Sequence, residues 1–334
     1  MGVTGSAGDR DWIRARISVA MHLAIGNAFA QALQALEEIA DAVDTGDDEM
    51  AALYFQARAI TYIKARMIDR AFELFEAALA AARKYGKARL CAHVLVNYGT
   101  AALQDGSVAL AVRCLEEGLQ HARGRADVEP YGLVHLAEAF LAAGKLQQAA
   151  ELLHELHAMR RGDSTTRLIA ATVGMPVGML LDDEALLARS SDTTLLDLAF
   201  ARGERWLLGP LVESFCSLYE HRGQRDEHDA LLTRDLESPT LLDNSVLLAI
   251  RGARLAPAAQ LPRLAALMAE HCAGSTLPSA YYCLFESCIA ARRRSPERPA
   301  KLALEAAEQF ARAERPLLHA LALDIAGLPT EARN

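Results

Sequence analysis

The sequence predicts an all-α fold of stacked antiparallel helix pairs, and three observations lead to this prediction. Hydrophobic residues fill 52% of the 334 positions but aromatic residues only 6%, so alanine and leucine supply most of the apolar content. Alanine and leucine favour helices, whereas most strand-favouring residues are β-branched or aromatic. Small residues also recur inside segments with helical periodicity, and one alanine returns at a nearly constant spacing.

That alanine opens the second helix of each predicted pair. It stands at Ala32, Ala71, Ala111 and Ala149, so the steps between successive units are 39, 40 and 38 residues. A spacing this regular over four units is typical of a helical-repeat array, in which each pair buries its apolar face against its neighbours. Weaker copies of the pattern continue towards the C-terminus, and we therefore expect a solenoid of about eight pairs.

The segment Asn97–Arg123, "NYGTAALQDGSVALAVRCLEEGLQHAR", indicates how the two helices of a pair approach each other. Gly99 and Ala111 occupy its contact columns, where a small side chain permits a close crossing while bulkier residues fill the flanking grooves. Gly106, and Gly144 in the next unit, follow a first helix, where glycine adopts the left-handed conformation of a C-terminal cap.

The repeat pattern divides the chain into regular and irregular parts. Proline and glycine in Val173–Gly178 disfavour a helix, which predicts a joint or an irregular repeat there. The apolar stretch Glu314–Gly327 predicts a final helix that covers the last pair. The predicted segments are a disordered leader (1–11), regular repeats (12–162), an irregular repeat or joint (163–204), degenerate repeats with the capping helix (205–327) and a tail (328–334).

Charge and composition restrict the class of function. The formal net charge of −8 disfavours direct nucleic-acid binding by this segment. The absence of a run of about 18 uncharged apolar residues argues against a membrane span, and the N-terminus lacks the pattern of a secretory signal. Six cysteines at unrelated spacings suggest buried thiols in a reducing compartment. We therefore expect a cytoplasmic protein.

The sequence contains few candidates for chemistry. Glu151, His154 and His157 stand three residues apart on a predicted helix, a spacing that brings metal ligands together. A zinc site needs a further ligand, however, and the same residues fit the outer face of a repeat. Neither a phosphate-binding glycine loop nor a nucleophile elbow occurs. We predict a protein without catalytic residues, metal or cofactor; a metal-binding protein or an enzyme without a recognisable motif is an alternative.

Two stretches, Tyr54–Arg83 and Leu133–Leu156, carry a resemblance to a known family. Their order of bulky, small and aromatic residues around a turn is similar to the tetratricopeptide repeat, although the step is longer than that family's usual ~34 residues. Longer repeats in an Ala/Leu/Arg-rich chain, with Glu305–Gly327 at the end, resemble the repeat region of bacterial MalT/LuxR-type transcriptional regulators. The resemblance implies a right-handed superhelix and a role in sensing or relaying a signal for transcriptional control.

In a superhelix of this kind, the first helix of each pair lines the concave face. Its inward positions here are mostly apolar with a few polar groups, which marks a binding surface for an amphipathic helix or a hydrophobic molecule if they are exposed. Tighter curvature would instead bury them as ordinary core. The predicted ligand-binding residues are Ile17, Met21, Gln56, Ile60, Ile63, His93, Val96, Thr100, Tyr131, Val134 and Glu138.

The expected function is therefore that of an interaction module. Its partner would be a protein, a peptide or a small hydrophobic effector, and a homodimer remains open. A self-associating scaffold or a secretion-type chaperone is the competing interpretation, because helical repeats also serve these roles.

Overall fold

The computed structural model of the protein confirms the all-helical prediction, because the residues that it describes contain helices and turns but no strand. One of the weaker copies of the repeat pattern towards the C-terminus spans Leu248–Met268, and it lies almost entirely outside the described residues, as do the first nine residues and the tail. The described residues are 10–26, 28–43, 47–65, 67–159, 163–202, 205–237, 262, 265–266, 268, 276–292, 298–313 and 315–326.

Two compact units divide the chain. The first comprises Met1–Asp105 and Leu110–His135, and the second comprises Gly106–Ala109 and Leu136–Asn334. The helices that begin the chain are α1 (Arg10–Ile25), α2 (Phe29–Glu37), α3 (Ala40–Val43), α4 (Asp48–Lys64), α5 (Ile68–Tyr85), α6 (Ala88–Asp105), α7 (Val108–Ala122) and α8 (Glu129–Ala142).

Helix α8 begins in the first unit and ends in the second, and the later helices belong to the second unit. They are α9 (Leu146–Ala158), α10 (Ser164–Leu181), α11 (Glu184–Ser190), α12 (Thr194–Arg202), α13 (Arg205–His221), α14 (Arg225–Glu237), α15 (Thr276–Arg292), α16 (Arg298–Arg312) and α17 (Pro316–Ile325). Helix α17 lies within the stretch where the sequence predicts a capping helix.

The first and second helices of a pair differ in burial. Helix α4 has no exposed residue between Met50 and Ile63, and α6 exposes only Arg89 and Gln104. Helix α5, by contrast, buries one face and exposes the other to water. A helix that is apolar on all sides needs neighbours on all sides. Helices α4 and α6 are therefore covered on most sides, whereas α5 has a solvent-facing side.

The predicted crossing of α6 and α7 is confirmed. A Cβ atom placed on Gly99 would stand 2.5 Å from Cγ of Leu115 and 3.1 Å from the carbonyl oxygen of Ala111. Only glycine therefore fits at this position without a shift of its neighbours. The predicted helix ends are confirmed as well, because Gly106 and Gly144 have φ angles of 96° and 72°, a conformation that glycine adopts at low cost.

The helix break expected at Val173–Gly178 does not occur, because α10 continues through Pro176 to Leu181. Proline has no N–H to donate to the carbonyl four residues earlier, which belongs to Thr172. The hydroxyl of Ser214 on α13 donates to that carbonyl at 3.0 Å instead. The neighbouring helix thus satisfies the acceptor that the proline leaves free.

The glycines of this segment serve packing. A Cβ atom on Gly178 would stand 2.8 Å from Cγ of Leu187, and one on Gly174 would stand 3.1 Å from Cβ of Ser190. Both contacts are with α11, which comes this close only because α10 carries glycine there. Residues 163–204 contain three helices, α10, α11 and α12, where a regular repeat has two.

Helix α10 is also long and apolar enough to cross a membrane by length and composition, and more than half of it is buried inside the protein. Its apolar side chains, such as Leu168, Ile169 and Val173, are buried in the second unit, where α10 packs against α11 and α13. Burial within the protein accounts for this composition.

Helix α1 begins at Arg10, two residues before the predicted start of the regular repeats at residue 12. The guanidinium group of Arg10 pairs with two carboxylates, those of Asp47 and Glu49. Nε of Arg10 lies 3.0 Å from Oδ2 of Asp47. Arg14 contacts Glu49 as well, at 2.8 Å. Asp47 also caps α4 by accepting hydrogen bonds from two of its first backbone N–H groups. These contacts attach the start of α1 to the start of α4.

Candidate functional site

The predicted binding residues differ in accessibility. Ile17, Val96 and Val134 are 8%, 6% and 0% exposed, so these three side chains contribute to packing. The other eight are half-buried, namely Met21, Gln56, Ile60, Ile63, His93, Thr100, Tyr131 and Glu138. Ten of the eleven lie in the first unit, and Glu138 lies in the second. A role in ligand binding remains a prediction for the set.

Three of the half-buried residues follow one another on α4, and we call Gln56, Ile60 and Ile63 the α4 surface. Both isoleucines pack against the edge of a core cluster that contains Phe75 and Tyr98. The side-chain oxygen of Gln56 is buried and has no hydrogen-bond partner among the described residues. An unsatisfied buried acceptor costs about 1–3 kcal/mol, and such groups in native proteins call for an explanation.

The polar residues of the predicted binding set on α6 and α8 make contacts within the protein. Burial lowers the pKa of His93, and the positive charge of Arg89 lowers it further, so its imidazole is neutral at pH 7. The hydroxyl of Thr100 donates to the carbonyl of Val96 in its own helix at 2.8 Å. The ring of Tyr131 stacks on a neighbouring histidine of α8. Nε2 of His93 lies 4.0 Å from Oδ2 of Asp127, outside its own helix.

A second candidate site lies within the second unit, and we call it the α9–α12 cavity. Its volume is about 830 Å³, which is in the range of small-molecule sites in proteins. Four consecutive helices supply its walls, so no single stretch of sequence indicates it. The lining residues are Leu156, His157, Thr166, Arg167, Ala170, Ala171, Ala188, Arg189, Asp192 and Leu195.

Two arginines and one carboxylate carry the charge of this cavity. Nη2 of Arg167 lies 3.8 Å from Oδ2 of Asp192, longer than a hydrogen bond. Asp192 accepts hydrogen bonds from the hydroxyl and the N–H of Thr194, and these two bonds lower the pKa of Asp192. Within the part of the chain that the structure describes, no carboxylate pairs with Arg189.

His157 supplies the neutral polar group of the cavity. Its Nε2 atom is buried and has no hydrogen-bond partner among the described residues. Burial lowers the pKa of His157, and the charges of Arg189 and His154 lower it further. The imidazole is therefore uncharged at pH 7, and Nε2 is able to donate or accept one hydrogen bond, depending on the tautomer.

The other histidine that the sequence suggests as a metal ligand has a partner. Nε2 of His154 lies 2.7 Å from Oδ2 of Asp183. The other carboxylate oxygen of Asp183 caps α11 by accepting the N–H of Leu186 at 2.9 Å. This backbone hydrogen bond, followed by the one from His154, lowers the pKa of Asp183. In the described ranges, no group of three or more His, Cys, Asp or Glu side chains is placed to hold a metal ion.

Comparison with known proteins supports the fold class. No protein-family model matches the chain, and no curated protein matches it. Among solved structures, the chain is similar to the apo form of RapI, with a TM-score of 0.53 and 10% sequence identity, over 94% of this chain and 89% of that one. Together with the all-helical structure, this likeness identifies a helical-repeat fold. At this identity it shows the fold alone, and the resemblance to MalT/LuxR-type regulators remains a prediction.

Proposed function

We propose that this protein is a non-enzymatic regulatory module that binds a protein or peptide partner through the α4 surface. The helical-repeat fold that it shares with RapI supports this class of function, since stacked repeats build extended surfaces that are used for binding. The conclusion rests on one observation: two half-buried isoleucines lie on the same helix as Gln56, whose side-chain oxygen has no hydrogen-bond partner among the described residues.

The α4 surface combines an apolar contact with a polar anchor. Ile60 and Ile63 remain partly accessible, as do other side chains of α4 such as Phe55. Full burial of such a side chain contributes about 1.5–3 kcal/mol, so each isoleucine offers part of that gain to a partner. The side-chain oxygen of Gln56 is buried in the free protein, so the carboxamide would turn towards a bound partner, where its acceptor and donors match the N–H and C=O groups of a peptide backbone. An extended or helical peptide satisfies both requirements.

The finer features follow from the resemblance to MalT/LuxR-type repeat regions. We propose a right-handed superhelix of about eight pairs that relays a signal for transcriptional control in the bacterial cytoplasm. The remaining predicted residues of the first unit, such as Met21, His93 and Tyr131, would extend the same surface. A small hydrophobic effector is the alternative ligand, and it would contact the isoleucines without needing the backbone-like pairing of Gln56.

Selection from a random peptide library displayed on phage tests the proposal. Peptides selected on the wild-type protein are titrated by calorimetry against the double variant Ile60→Gln/Ile63→Gln. We expect its affinity to fall at least tenfold, because the apolar contact is lost. Met67→Gln is the matched control, since this residue is 39% exposed and lies outside the α4 surface.

Both variants must keep the wild-type helical circular dichroism and melting temperature to within a few degrees, because the isoleucines also contact the core. Equal affinity of the selected peptides for the wild-type protein and the double variant would refute the α4 surface as the binding site. Failure to select any peptide with micromolar affinity would argue against a peptide-binding function.

A further inference from the structure

A positively charged side chain lies at the end of the α4 surface. Lys64 is the last residue of α4, four residues after Ile60 and directly after Ile63. Residues four apart on a helix are neighbours on its surface, with Cβ atoms about 5–6 Å apart. The ammonium group of Lys64 is therefore within reach of a ligand that covers the two isoleucines.

This lysine lacks the carboxylate partner that basic residues have at the end of the next helix. Nζ of Lys84 lies 2.8 Å from Oδ1 of Asp48, and Nη2 of Arg83 lies 2.6 Å from Oε1 of Glu117. Within the described ranges, by contrast, no carboxylate pairs with Lys64. Its positive charge is left for a ligand.

The surroundings of Lys64 strengthen an interaction with such a ligand. The residue is exposed to water, yet burial lowers the pKa of its ammonium group. A group that is accessible and still surrounded by protein atoms lies in a recess. The effective dielectric constant there is lower than in bulk water, so an opposite charge is attracted more strongly.

The elements of the surface follow one another along α4. Gln56 lies about two turns before Lys64, which corresponds to about 12 Å along the helix axis, and the two isoleucines lie between them. An extended peptide rises about 3.3 Å per residue, so about four of its residues cover this distance. One peptide is therefore able to contact the carboxamide, the isoleucines and the ammonium group together.

We propose that the α4 surface binds an acidic peptide, in which an Asp or Glu side chain beside the apolar residues forms an ion pair with Lys64. This inference rests on the proposed function and adds the chemistry of the partner. The formal charge of the chain is −8, and an acidic protein attracts basic ligands at long range. A preference for acidic peptides therefore requires a local positive charge.

The composition of the peptides selected on the wild-type protein is the first test. We expect Asp and Glu to be enriched over the unselected library within four residues of the apolar side chains. Replacing that acidic residue by its amide should weaken binding to the wild-type protein about fivefold in calorimetry, as for a favourable accessible ion pair. Selected peptides that depend on Ile60 and Ile63 but show no acidic preference would overturn this inference and leave the proposed function intact. Failure to select any peptide would overturn both.

Variants of the lysine locate the charge. In Lys64→Gln, the acidic peptide and its amide should bind equally. In Lys64→Glu, a peptide with lysine in place of the acidic residue should bind better than the acidic one. Lys87→Gln removes the same charge from an exposed position just before α6, and it should leave the acidic preference within twofold of wild type. An acidic preference that persists in Lys64→Gln would overturn the proposal.

Discussion

The hydrogen bond between α13 and the proline-containing helix α10 leads to a quantitative prediction. Ser214 is 7% exposed, and its hydroxyl lies 3.0 Å from the carbonyl oxygen of Thr172, which has no N–H partner because of Pro176. Ser214→Ala removes this donor and leaves a buried acceptor unsatisfied. The expected loss in the free energy of unfolding is about 1–3 kcal/mol.

The same substitution should cost less when the proline is absent. In Pro176→Ala, the new backbone N–H is able to donate to the Thr172 carbonyl, so the Ser214 hydroxyl is no longer its only donor. The hydroxyl also contacts the carbonyl of Pro210 at 3.0 Å, but this is a contact within its own helix that adds little stability. We therefore expect a coupling free energy of about 1 kcal/mol between the two positions.

Urea unfolding of the four proteins of this double-mutant cycle, followed by circular dichroism, measures the coupling. Ser18→Ala is the control, because Ser18 is exposed on α1 and its replacement should change stability by less than about 0.5 kcal/mol. If Ser214→Ala costs the same in the presence and in the absence of Pro176, the hydroxyl does not compensate for the proline, and the explanation given for the continuous helix is wrong.

Three further predictions concern packing and titration. Gly99→Ala should destabilise the protein, because overpacking of about 1–3 kcal/mol exceeds the gain of up to ~1 kcal/mol in helix propensity. Gly26→Ala is the control and should not destabilise the protein, because its new Cβ atom would meet only ordinary contacts. Equal melting temperatures of the two variants would contradict the crossing of α6 and α7. Burial raises the pKa of Cys114 to about 11. The rate at which iodoacetamide labels Cys114, measured as the difference between wild type and Cys114→Ser, should therefore still rise between pH 9 and 10. A rate that reaches its plateau by pH 9 would contradict this prediction. The pKa of Asp183 is lowered in the folded protein, so its contribution to stability is present above the ordinary pKa of about 4 and is lost as the pH falls through the lower folded value. Between pH 5 and pH 3, the melting temperature of the wild type should therefore fall further than that of Asp183→Asn. An equal fall in both proteins would refute this prediction.

The helices and their close crossings could be predicted because they depend on local patterns. Gly99 and Ala111 stand at the predicted columns, and the structure brings both into one α6–α7 contact. Helical periodicity repeats every few residues, so a short window of sequence contains the information. The glycine-terminated helix ends were predictable for the same reason, since the left-handed conformation belongs to one residue.

The continuity of α10 could not be predicted from the same kind of information. Within α10 alone, Pro176 leaves a carbonyl without a donor. The donor that satisfies it, Ser214, is 42 residues away from Thr172 in sequence. Only the packing of α13 against α10 brings the two together. A local rule about proline was therefore overridden by a tertiary contact.

For the candidate sites as well, some features could be predicted from the sequence and others depend on tertiary packing. Sequence placed Gln56, Ile60 and Ile63 on one helix, but their remaining accessibility depends on which neighbours cover them. It offered His157 only as a metal ligand and gave no sign that it shares a cavity with Arg189.

The sequence by itself determined that this chain forms paired helices at a step near 39 residues, because helical periodicity and small contact residues depend on positions that are close together in the sequence. The tertiary structure alone decided that α10 passes through its proline and that α9 to α12 line one cavity with two arginines in its wall. The physical reason is that burial, hydrogen-bond satisfaction and local charge are properties of groups brought together from distant positions, and they do not exist until the helices pack.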